Sequence, residues 1–402
     1  MRLLTFSTLY PSSVRPSHGI FVETRLRHLL ASGSVQSVVM APVPWVPLSH
    51  QGVGHYREFA RTPRQEWLHD IEVLHPRYPL LPKVGMSTAP FLLAAGCARS
   101  LHKVLERGYE FDVIDAHYFY PAGVAAMLLG RHFGKPVVIT ARGSDINLIA
   151  QYTIPRKFII WAARRAAAVA AVSQALKCSL EQLGVDATKV CVLRNGVDAD
   201  AFRPLDRDVE RARLGIDGRL LISVGNLVEL KGNELAIRSL KSLPDASLFL
   251  IGDGPDRRRL ESIARETGVG ERVRFIGTVA QKDLPRYYSA ADALVLASSR
   301  EGWPNVLLEA MACGTPVVAA RVGGTPEVVT SPVAGVLFEP RTVQALTSAL
   351  QELFGSPPRR EDTRHYAEGF GWNETTLGLR TLFRRVVEPC EAPAQPSSGR
   401  AN

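Results

Sequence analysis

The chain of 402 residues is 46% hydrophobic and 22% charged, which is typical of a globular protein and leaves room for two ordinary domains. Its formal net charge of +9 predicts an anionic partner, and nucleic acid is disfavoured because neither a stacking motif nor zinc-finger spacing accompanies the charge. No apolar run approaches the ~20 residues that a membrane-spanning helix requires, which argues against an integral membrane protein.

Short apolar strands alternate with amphipathic helices along both halves, the pattern of βαβ units on parallel sheets. In the first half the predicted strands are 2–8, 36–41, 112–116, 136–140, 168–172 and 190–193, and the predicted helices are 21–31, 89–107, 121–133, 155–166 and 174–183. In the second half the predicted strands are 219–224, 246–251, 272–276, 293–296, 316–319 and 335–338. We therefore expect an α/β protein with two parallel sheets.

These two series set the predicted domain bounds. Residues 1–198 form the first domain and residues 219–370 the second, while 199–218, charged and poor in large apolar residues, is interpreted as the linker. A helix at 371–388 is expected to return to the first domain, and 389–402 is expected to be a disordered tail.

The N-terminus and the cysteines indicate the cellular compartment in which the protein is expected to work. Met1–Ser7 is too short and too polar for a signal peptide and is interpreted as a buried strand. The five cysteines are odd in number and show no paired metal-ligand spacing. They lie at Cys97, Cys178, Cys191, Cys313 and Cys390. We expect a reduced, cytoplasmic protein.

The positive charge is concentrated in the first half. Residues 1–200 hold 22 Lys and Arg against 14 Asp and Glu, whereas residues 201–402 hold 26 against 25. This excess favours an anionic membrane surface or an acceptor that carries phosphate. Arg156–Trp161 and Arg164–Arg165 mix cations with apolar side chains and predict peripheral contact with the inner face of the membrane. A basic surface without function remains the alternative.

Polar side chains follow two predicted strands of the first half. His117 follows strand 112–116, and the stretch from Arg142 to Asp145 follows strand 136–140. Because ligands of open parallel sheets bind outside the carboxyl ends of the strands, both places are expected to face a cleft. A lone histidine is more often structural than catalytic, and Asp145 could instead cap a helix after Ser144.

In the second half, two glycine-containing loops follow strands. Gly225 and Asn226 follow strand 219–224, and Lys231 lies where a helix opens. Glycine allows close approach of the backbone to a ligand, and lysine supplies a point charge for phosphate. A surface lysine after a tight turn remains the alternative. The turn with Gly252 and Gly254 is a weak signal by itself.

Two glutamates eight positions apart, Glu301 and Glu309, are the feature of the sequence that indicates most about its ligand. Asn305 is predicted to cap a helix that starts at Val306, with Pro304 in the turn before it. A helix N-terminus attracts phosphate, and Glu309, one turn inside, could accept hydrogen bonds from a ribose diol. Glu301 lies in the preceding loop, where a group attached to the phosphate would project. The arrangement predicts a nucleotide-sugar site, although two solvated glutamates flanking a buried helix remain an alternative.

This segment resembles the Glu-x7-Glu motif of the retaining glycosyltransferases of family 4 (GT4), which have the GT-B fold. The resemblance extends from Gly19 to Trp372 and is most specific in the second half. It implies two Rossmann-like parallel-sheet domains that face each other across a cleft. The second domain would hold a nucleotide-sugar donor and the first an acceptor.

The resemblance implies a set of catalytic residues. His117 would lie close to the transferred sugar, and Glu301 would face it. Lys231 would hold the donor diphosphate. Family members often have a His-Gly-x-x-Asp element at this place; here Arg142 replaces its histidine, and Asp145 follows three residues later.

The resemblance also implies a donor-binding set. Gly19 occupies the position of the family's first glycine-rich loop, and Asn226 replaces an arginine that usually contacts the diphosphate. The loop after strand 316–319, with Gly323 and Gly324, could bring further amides to the phosphates. The expected donor-binding residues are Gly19, Asn226, Lys231, Gly252, Gly254, Pro304, Asn305, Val306 and Glu309.

No metal or other cofactor is expected. The pairs Asp198/Asp200 and Asp206/Asp208 have the Asp-x-Asp spacing, but such a spacing arises readily by chance and both fall in the predicted linker.

The expected function is retaining transfer of a sugar to a saccharide or lipid-linked acceptor. The stretch 117–123 looks most like family members that build bacterial surface polysaccharides of the cell envelope. Two alternatives remain open: a nucleotide-sugar epimerase of the same fold, and a catalytically silent nucleotide-sugar-binding protein. The silent protein is considered because Asn226 and Arg142 replace the usual residues.

Overall fold

A computed structural model describes residues 1–45, 59–80 and 85–388. Within these ranges the chain forms an α/β fold with two large parallel sheets. The strands are β1 Arg2–Ser7, β2 Gln36–Met40, β3 Val43–Trp45, β4 Gln65–Leu68, β5 Ile71–Leu74, β6 Arg77–Pro79, β7 Val113–His117, β8 Val137–Ala141, β9 Ala168–Ala171, β10 Val190–Val192, β11 Arg219–Val224, β12 Ala246–Ile251, β13 Val273–Gly277, β14 Ala293–Leu296, β15 Val317–Ala320 and β16 Gly335–Phe338.

Helices connect and cover these strands. Their bounds are Ile20–Ala31, Gly85–Glu106, Val124–Phe133, Ser144–Asn147, Thr153–Arg165, Gln174–Gln182, Arg207–Leu214, Asn233–Ser239, Arg257–Glu266, Leu284–Ala290, Asn305–Ala312, Thr325–Val328, Val343–Gly355, Arg360–Glu368 and Asn373–Val387. None of these described helices is both long and apolar enough to cross a bilayer.

The first sheet has the order β10-β9-β8-β7-β1-β2-β5-β4, and the second has the order β13-β12-β11-β14-β15-β16. Every pairing is parallel except that of β4 with β5. The central strands β7, β8 and β9 are buried along their whole length because helices cover both faces. Each buried valine or isoleucine in them contributes about 1.5–3 kcal/mol to folding.

The predicted strands all correspond to strands of the structure, whereas β3 to β6 were not predicted. These four strands are three or four residues long, and β4 and β5 form an antiparallel hairpin at one edge. The α/β prediction is confirmed.

The segment 199–218, predicted to be a linker, contains the helix Arg207–Leu214. Arg207 and Arg211 bind opposite carboxylate oxygens of Asp292, at 2.5 and 3.1 Å, and so attach this helix to the second sheet's domain. The chain therefore joins the second domain about midway through the predicted linker.

The last described helix, Asn373–Val387, packs on the first sheet. Leu379, Leu382 and Phe383 are buried against Leu3 and Val113 of β1 and β7. The chain thus crosses between the domains twice, and the predicted tail at 389–402 lies outside the described residues.

Candidate active site between the two domains

Lys231 and Glu301 form an ion pair at the carboxyl end of the second sheet. Lys231 Nζ donates to Glu301 Oε1 at 2.7 Å. Lys231 lies in the turn after β11 and Glu301 in the loop after β14, and these strands are neighbours in the sheet. The sheet topology therefore brings together two residues that the sequence predicted as catalytic, although they lie 70 positions apart.

Glycines let the loops after β11 and β12 touch backbone to backbone. A Cβ atom on Gly252 would lie 2.0 Å from the carbonyl oxygen of Gly225, and one on Gly254 would lie 2.3 Å from that of Leu227. Gly252 has a φ of 135°, which a residue with a side chain rarely adopts. These two glycines border the loop that carries the exposed Asn226.

The helix that carries Glu309 begins at Asn305, one residue earlier than predicted, and Pro304 occupies the N-cap position. The prediction that Asn305 caps this helix is wrong. Its side-chain oxygen instead accepts a hydrogen bond from Asn195 Nδ2 at 3.2 Å. No side chain caps the helix, although the amides of Asn305 and Leu307 donate to backbone carbonyl oxygens at 3.1 Å each. The first turn, including Val306, keeps the positive dipole that suits an anion.

Glu309 lies on this helix beside Tyr288. The Tyr288 hydroxyl donates to Glu309 Oε2 at 2.8 Å. Burial raises the pKa of Glu309 to about 7, and the hydrogen bond from Tyr288 partly opposes that rise. The carboxyl group is thus poised to change its charge near neutral pH.

His117 ends β7 with both ring nitrogens occupied. Arg142 Nη2 lies 2.7 Å from Nδ1, and Asp115 Oδ2 lies 3.1 Å from Nε2. Because arginine can only donate, we assign the neutral tautomer that carries its proton on Nε2. Burial is the main cause that lowers the pKa of His117 to about 4, Arg142 adds to it, and Asp115 opposes it. The ring is 2% exposed, and its place close to the transferred sugar remains a prediction.

Arg142 extends this network across the domains. Its Nη1 donates to Asn195 Oδ1 at 3.0 Å, and Asn195 in turn contacts Asn305. The hydrogen bonds run from Asp115 through His117 and Arg142 to the start of the Glu309 helix. Arg142 therefore bridges two buried polar side chains, those of His117 and Asn195.

Asp145 fastens two loops at the carboxyl end of the first sheet. Its carboxylate accepts from the backbone amides of Phe119 and Gly143 at 2.8 Å each, and from that of Arg142 at 3.1 Å. The side chain is fully buried. This geometry favours a positioning role over contact with a substrate, and the predicted catalytic role remains a prediction.

The two domains touch where the loops after β8 and β14 meet. A Cβ atom on Gly302 would lie 2.2 Å from the carbonyl oxygen of Arg142, and one on Gly143 would lie 3.0 Å from the Gly302 Cα atom. Beside this contact, Trp303 Nε1 donates to the carbonyl oxygen of Asn195 at 2.9 Å. The contact places Glu301, one residue before Gly302, at the boundary of the domains.

Gly19 has a structural role of its own. It precedes the helix Ile20–Ala31 with a φ of 71°, and a Cβ atom there would lie 2.3 Å from the carbonyl carbon of Leu9. Contact between Gly19 and the donor remains a prediction.

Comparison with known proteins decides the family. The profile described as Glycosyltransferase Family 4 matches residues 34–201, and the profile described as Glycosyl transferases group 1 matches residues 206–370. The chain is 32% identical over 342 residues to the D-inositol 3-phosphate glycosyltransferase 1 of Catenulispora acidiphila, covering 77% of each protein. The chain belongs to glycosyltransferase family 4.

Solved structures confirm the GT-B fold of this family 4 glycosyltransferase. The sucrose-phosphate synthase of Thermosynechococcus elongatus superposes with a TM-score of 0.79 over 96% of this chain and 98% of that one, at 21% identity. HepE from Anabaena, solved in complex with UDP and glucose, superposes with a TM-score of 0.73 over 94% and 98% of the two chains, also at 21% identity.

Both Asp-x-Asp pairs of the family 4 glycosyltransferase have local backbone contacts. Asp198 accepts from the amides of Asp200 and Ala201 at 3.1 and 3.0 Å, and Asp206 caps the helix that begins at Arg207. Among the described residues, no three His, Cys, Asp or Glu side chains are grouped so as to hold a metal ion. The metal independence of this glycosyltransferase remains a prediction.

Several residues of this site were not predicted from the sequence. Tyr288 lies in the middle of a helix, and no local pattern marks it as the partner of Glu309. Asn195 belongs to an Asn-Gly turn that was interpreted only as the end of the first domain. The remaining ones are Arg194, Trp303 and Glu327, which all lie at the joint of the two domains.

Proposed function

We propose that this glycosyltransferase moves a sugar from a nucleotide-sugar donor to an acceptor, with retention of anomeric configuration and without a divalent cation. The observation that carries the proposal is the Lys231–Glu301 pair, 2.7 Å apart, beside a helix whose N-terminus no side chain caps. Such a helix end binds phosphate, and Glu309 lies one turn further where it can accept from a ribose.

The ion pair indicates how the donor would be held. A bound diphosphate would compete with Glu301 for Lys231, because phosphate carries more negative charge than a carboxylate. Lys231 and the helix amides would then stabilise the charge that develops on the leaving diphosphate. Glu301, released from Lys231, would accept hydrogen bonds from hydroxyl groups of the transferred sugar. His117 would support this geometry through Arg142.

The donor and the acceptor are proposed by class. HepE has been solved with UDP-glucose, which supports UDP-sugars as the first donors to test. The Catenulispora relative is named for an inositol phosphate acceptor, and the basic first half of this chain suits an acceptor that carries phosphate. We propose a saccharide or lipid-linked acceptor of this kind, used in the synthesis of bacterial cell-envelope polysaccharide.

We further propose that the enzyme works in the cytoplasm at the inner face of the membrane. On the helix Thr153–Arg165, Arg156 and Lys157 are exposed, as are Arg164 and Arg165 at its end. Ile154 at the start of this helix is 48% exposed. Cations around an exposed apolar side chain suit an anionic lipid surface.

The test is to incubate the pure protein with a panel of nucleotide sugars, with and without a panel of saccharide, inositol phosphate and lipid-linked acceptors. Release of nucleoside diphosphate that depends on acceptor, undiminished by EDTA, is expected, and NMR of the product should show the donor's anomeric configuration. Isomerised donor without acceptor would indicate an epimerase. Binding without any turnover would indicate a silent binding protein, and activity restored by Mg²⁺ after EDTA would refute metal independence.

A further inference from the structure

Glu327 of the second domain binds the first domain through both of its carboxylate oxygens. Oε2 accepts from the backbone amide of Gln174 at 2.9 Å, and Oε1 accepts from that of Ala175 at 2.9 Å. Arg194, which follows β10, donates to Oε2 through its Nη2 at 2.8 Å. We call this set of contacts the Glu327 latch.

The latch completes the N-terminus of the helix Gln174–Gln182. Ser173, in the same domain, caps the helix by accepting from the amide of Leu176 at 3.2 Å. The amides of Gln174 and Ala175, which precede it, are satisfied by the carboxylate of the other domain. A negative charge at this end of a helix is also favoured by the helix dipole. The first domain therefore offers a site that a side chain of the second domain fills.

A short loop connects the latch to the active site. Gly323 and Gly324, four and three residues before Glu327, pack on the backbone at Glu301 and Gly302. A Cβ atom on Gly323 would lie 1.9 Å from the carbonyl oxygen of Glu301, and one on Gly324 would lie 2.3 Å from that of Gly302. A displacement of Glu327 would therefore move a loop that has no free space against Glu301.

The latch also borders open space. Arg194 and Glu327 form part of the wall of a cavity of about 470 Å³ at the joint of the domains. Glu374 lines the same cavity, is exposed, and has no hydrogen-bond partner among the residues that the structure describes. Water can thus reach the helix end when the carboxylate is removed, and Glu374 provides a matched control.

We infer that Glu327 is a positioning residue that couples the orientation of the first domain to the backbone at Glu301. The inference rests on the proposed transfer reaction, in which Glu301 faces the transferred sugar. When the latch is closed, Glu301 is held at the boundary of the domains, where donor and acceptor meet. When it is open, the second domain keeps its nucleotide site, but Glu301 loses its fixed place relative to the first domain.

The first test measures the latch itself by hydrogen–deuterium exchange, which needs no substrate. In Glu327→Ala, the amides of Gln174 and Ala175 should exchange about tenfold faster than in the wild type, because their acceptor is lost. Glu327→Gln, which keeps one carbonyl acceptor, should give an intermediate rate, and Glu374→Ala should exchange as the wild type does. Equal rates in Glu327→Ala and the wild type would refute the latch.

The second test separates positioning from folding. With donor and acceptor, kcat of Glu327→Ala should fall about tenfold while the affinity for nucleoside diphosphate stays within about twofold, since only the transition state needs both domains. Glu327→Gln should recover part of kcat. An unchanged kcat, or a parallel loss of nucleotide affinity, would overturn the inference. A wild type without acceptor-dependent transfer would refute the proposed function, and the exchange rates would still decide whether the latch exists.

Discussion

Glu309 changes its charge near neutral pH, the range in which the enzyme is expected to work. Below its pKa of about 7 the carboxyl group is mostly protonated, and above it the group is a charged acceptor. Hydrogen bonds to a charged acceptor contribute about 1 kcal/mol more than neutral ones, which corresponds to about fivefold in affinity. We expect the affinity for nucleoside diphosphate to rise by this factor between pH 6 and pH 8, as calorimetry can measure.

The control for this prediction is Glu309→Gln, in which any remaining pH dependence comes from the phosphate of the ligand. Tyr288→Phe is a second probe. The Tyr288 hydrogen bond lowers the pKa of Glu309, so its loss should move the midpoint of the affinity profile to higher pH. If the profiles of the wild type and Glu309→Gln coincide, Glu309 does not contact the nucleotide.

His117 makes the stability of the enzyme depend on pH. Its pKa of about 4 lies below that of an unfolded histidine, because burial and Arg142 disfavour the imidazolium. The folded chain therefore binds fewer protons than the unfolded chain over this window, and stability should fall as the pH is lowered from about 6.5 to 4. The charged groups around the ring are Asp115, Arg142 and the buried Arg25. Urea unfolding at a series of pH values would measure the slope.

Two substitutions test this account of His117. In His117→Gln, the amide can donate to Asp115 and accept from Arg142 but cannot titrate, so the slope below pH 6.5 should be smaller. In His117→Ala, Asp115 Oδ2 and Arg142 Nη2 both lose their hydrogen bond to the ring in a buried place, which should cost about 2–4 kcal/mol at pH 7.5. His365, which is exposed, serves for the matched control His365→Gln. A slope in His117→Gln as steep as in the wild type would exclude His117 as its source.

At the scale of elements, the strands that build the site could be predicted because they are buried on both faces. A run such as Val137–Ala141 is apolar except for the buried Thr140 and is followed by polar residues, so both the strand and its ligand-facing end are visible in the sequence. The strands β3 to β6 are only three or four residues long; β3 and β6 contain a proline, and β4 and β5 each carry a glutamate, so these segments resemble loops. The helix at 207–214 was not predicted for a similar reason, because arginines rather than an apolar stripe attach it to the second domain.

The contact between the loops at Gly143 and Gly302 is an element whose geometry depends on the absence of a side chain. Gly302→Ala would place a Cβ atom 2.2 Å from the carbonyl oxygen of Arg142, so the two loops would have to move apart. We expect kcat to fall about tenfold, with a smaller effect on nucleotide affinity, because the proposed donor site lies within one domain. Steady-state kinetics and calorimetry would separate the two effects.

Gly355→Ala is the matched control. Gly355 ends the helix Val343–Gly355, and a Cβ atom there would meet no atom within 4 Å among the described residues. It should leave kcat unchanged. A Gly302→Ala variant with full activity would show that the loops can separate without consequence, and the contact would then not matter for the reaction.

At the scale of the whole molecule, the contacts between the domains could not be predicted. Each connects residues far apart in the chain: Asn195 with Trp303, Asn195 with Asn305, and Glu327 with the helix at Gln174. A sequence pattern reports local periodicity, and none of these pairs is local. The two glutamates could be singled out because they lie on one loop and one helix, whereas their contacts with Lys231 and Tyr288 form only through the sheet and its packing.

The positive charge of the first half of the molecule predicts binding to anionic vesicles. From Ile146 to Leu180 the sequence contains no Asp or Glu, while Arg156 and Lys157 are exposed next to Ile154. Co-sedimentation with anionic vesicles should be strong at low salt and should weaken as salt rises, because the Debye length is about 10 Å at 0.1 M and shrinks further above it.

The double substitution Arg156→Glu and Lys157→Glu should reduce binding about tenfold or more, since each cation near an anionic surface contributes about 1 kcal/mol. Arg258→Glu changes an exposed cation of the second domain and should bind as the wild type does. Equal binding to neutral vesicles, or equal loss in both variants, would refute contact through this helix.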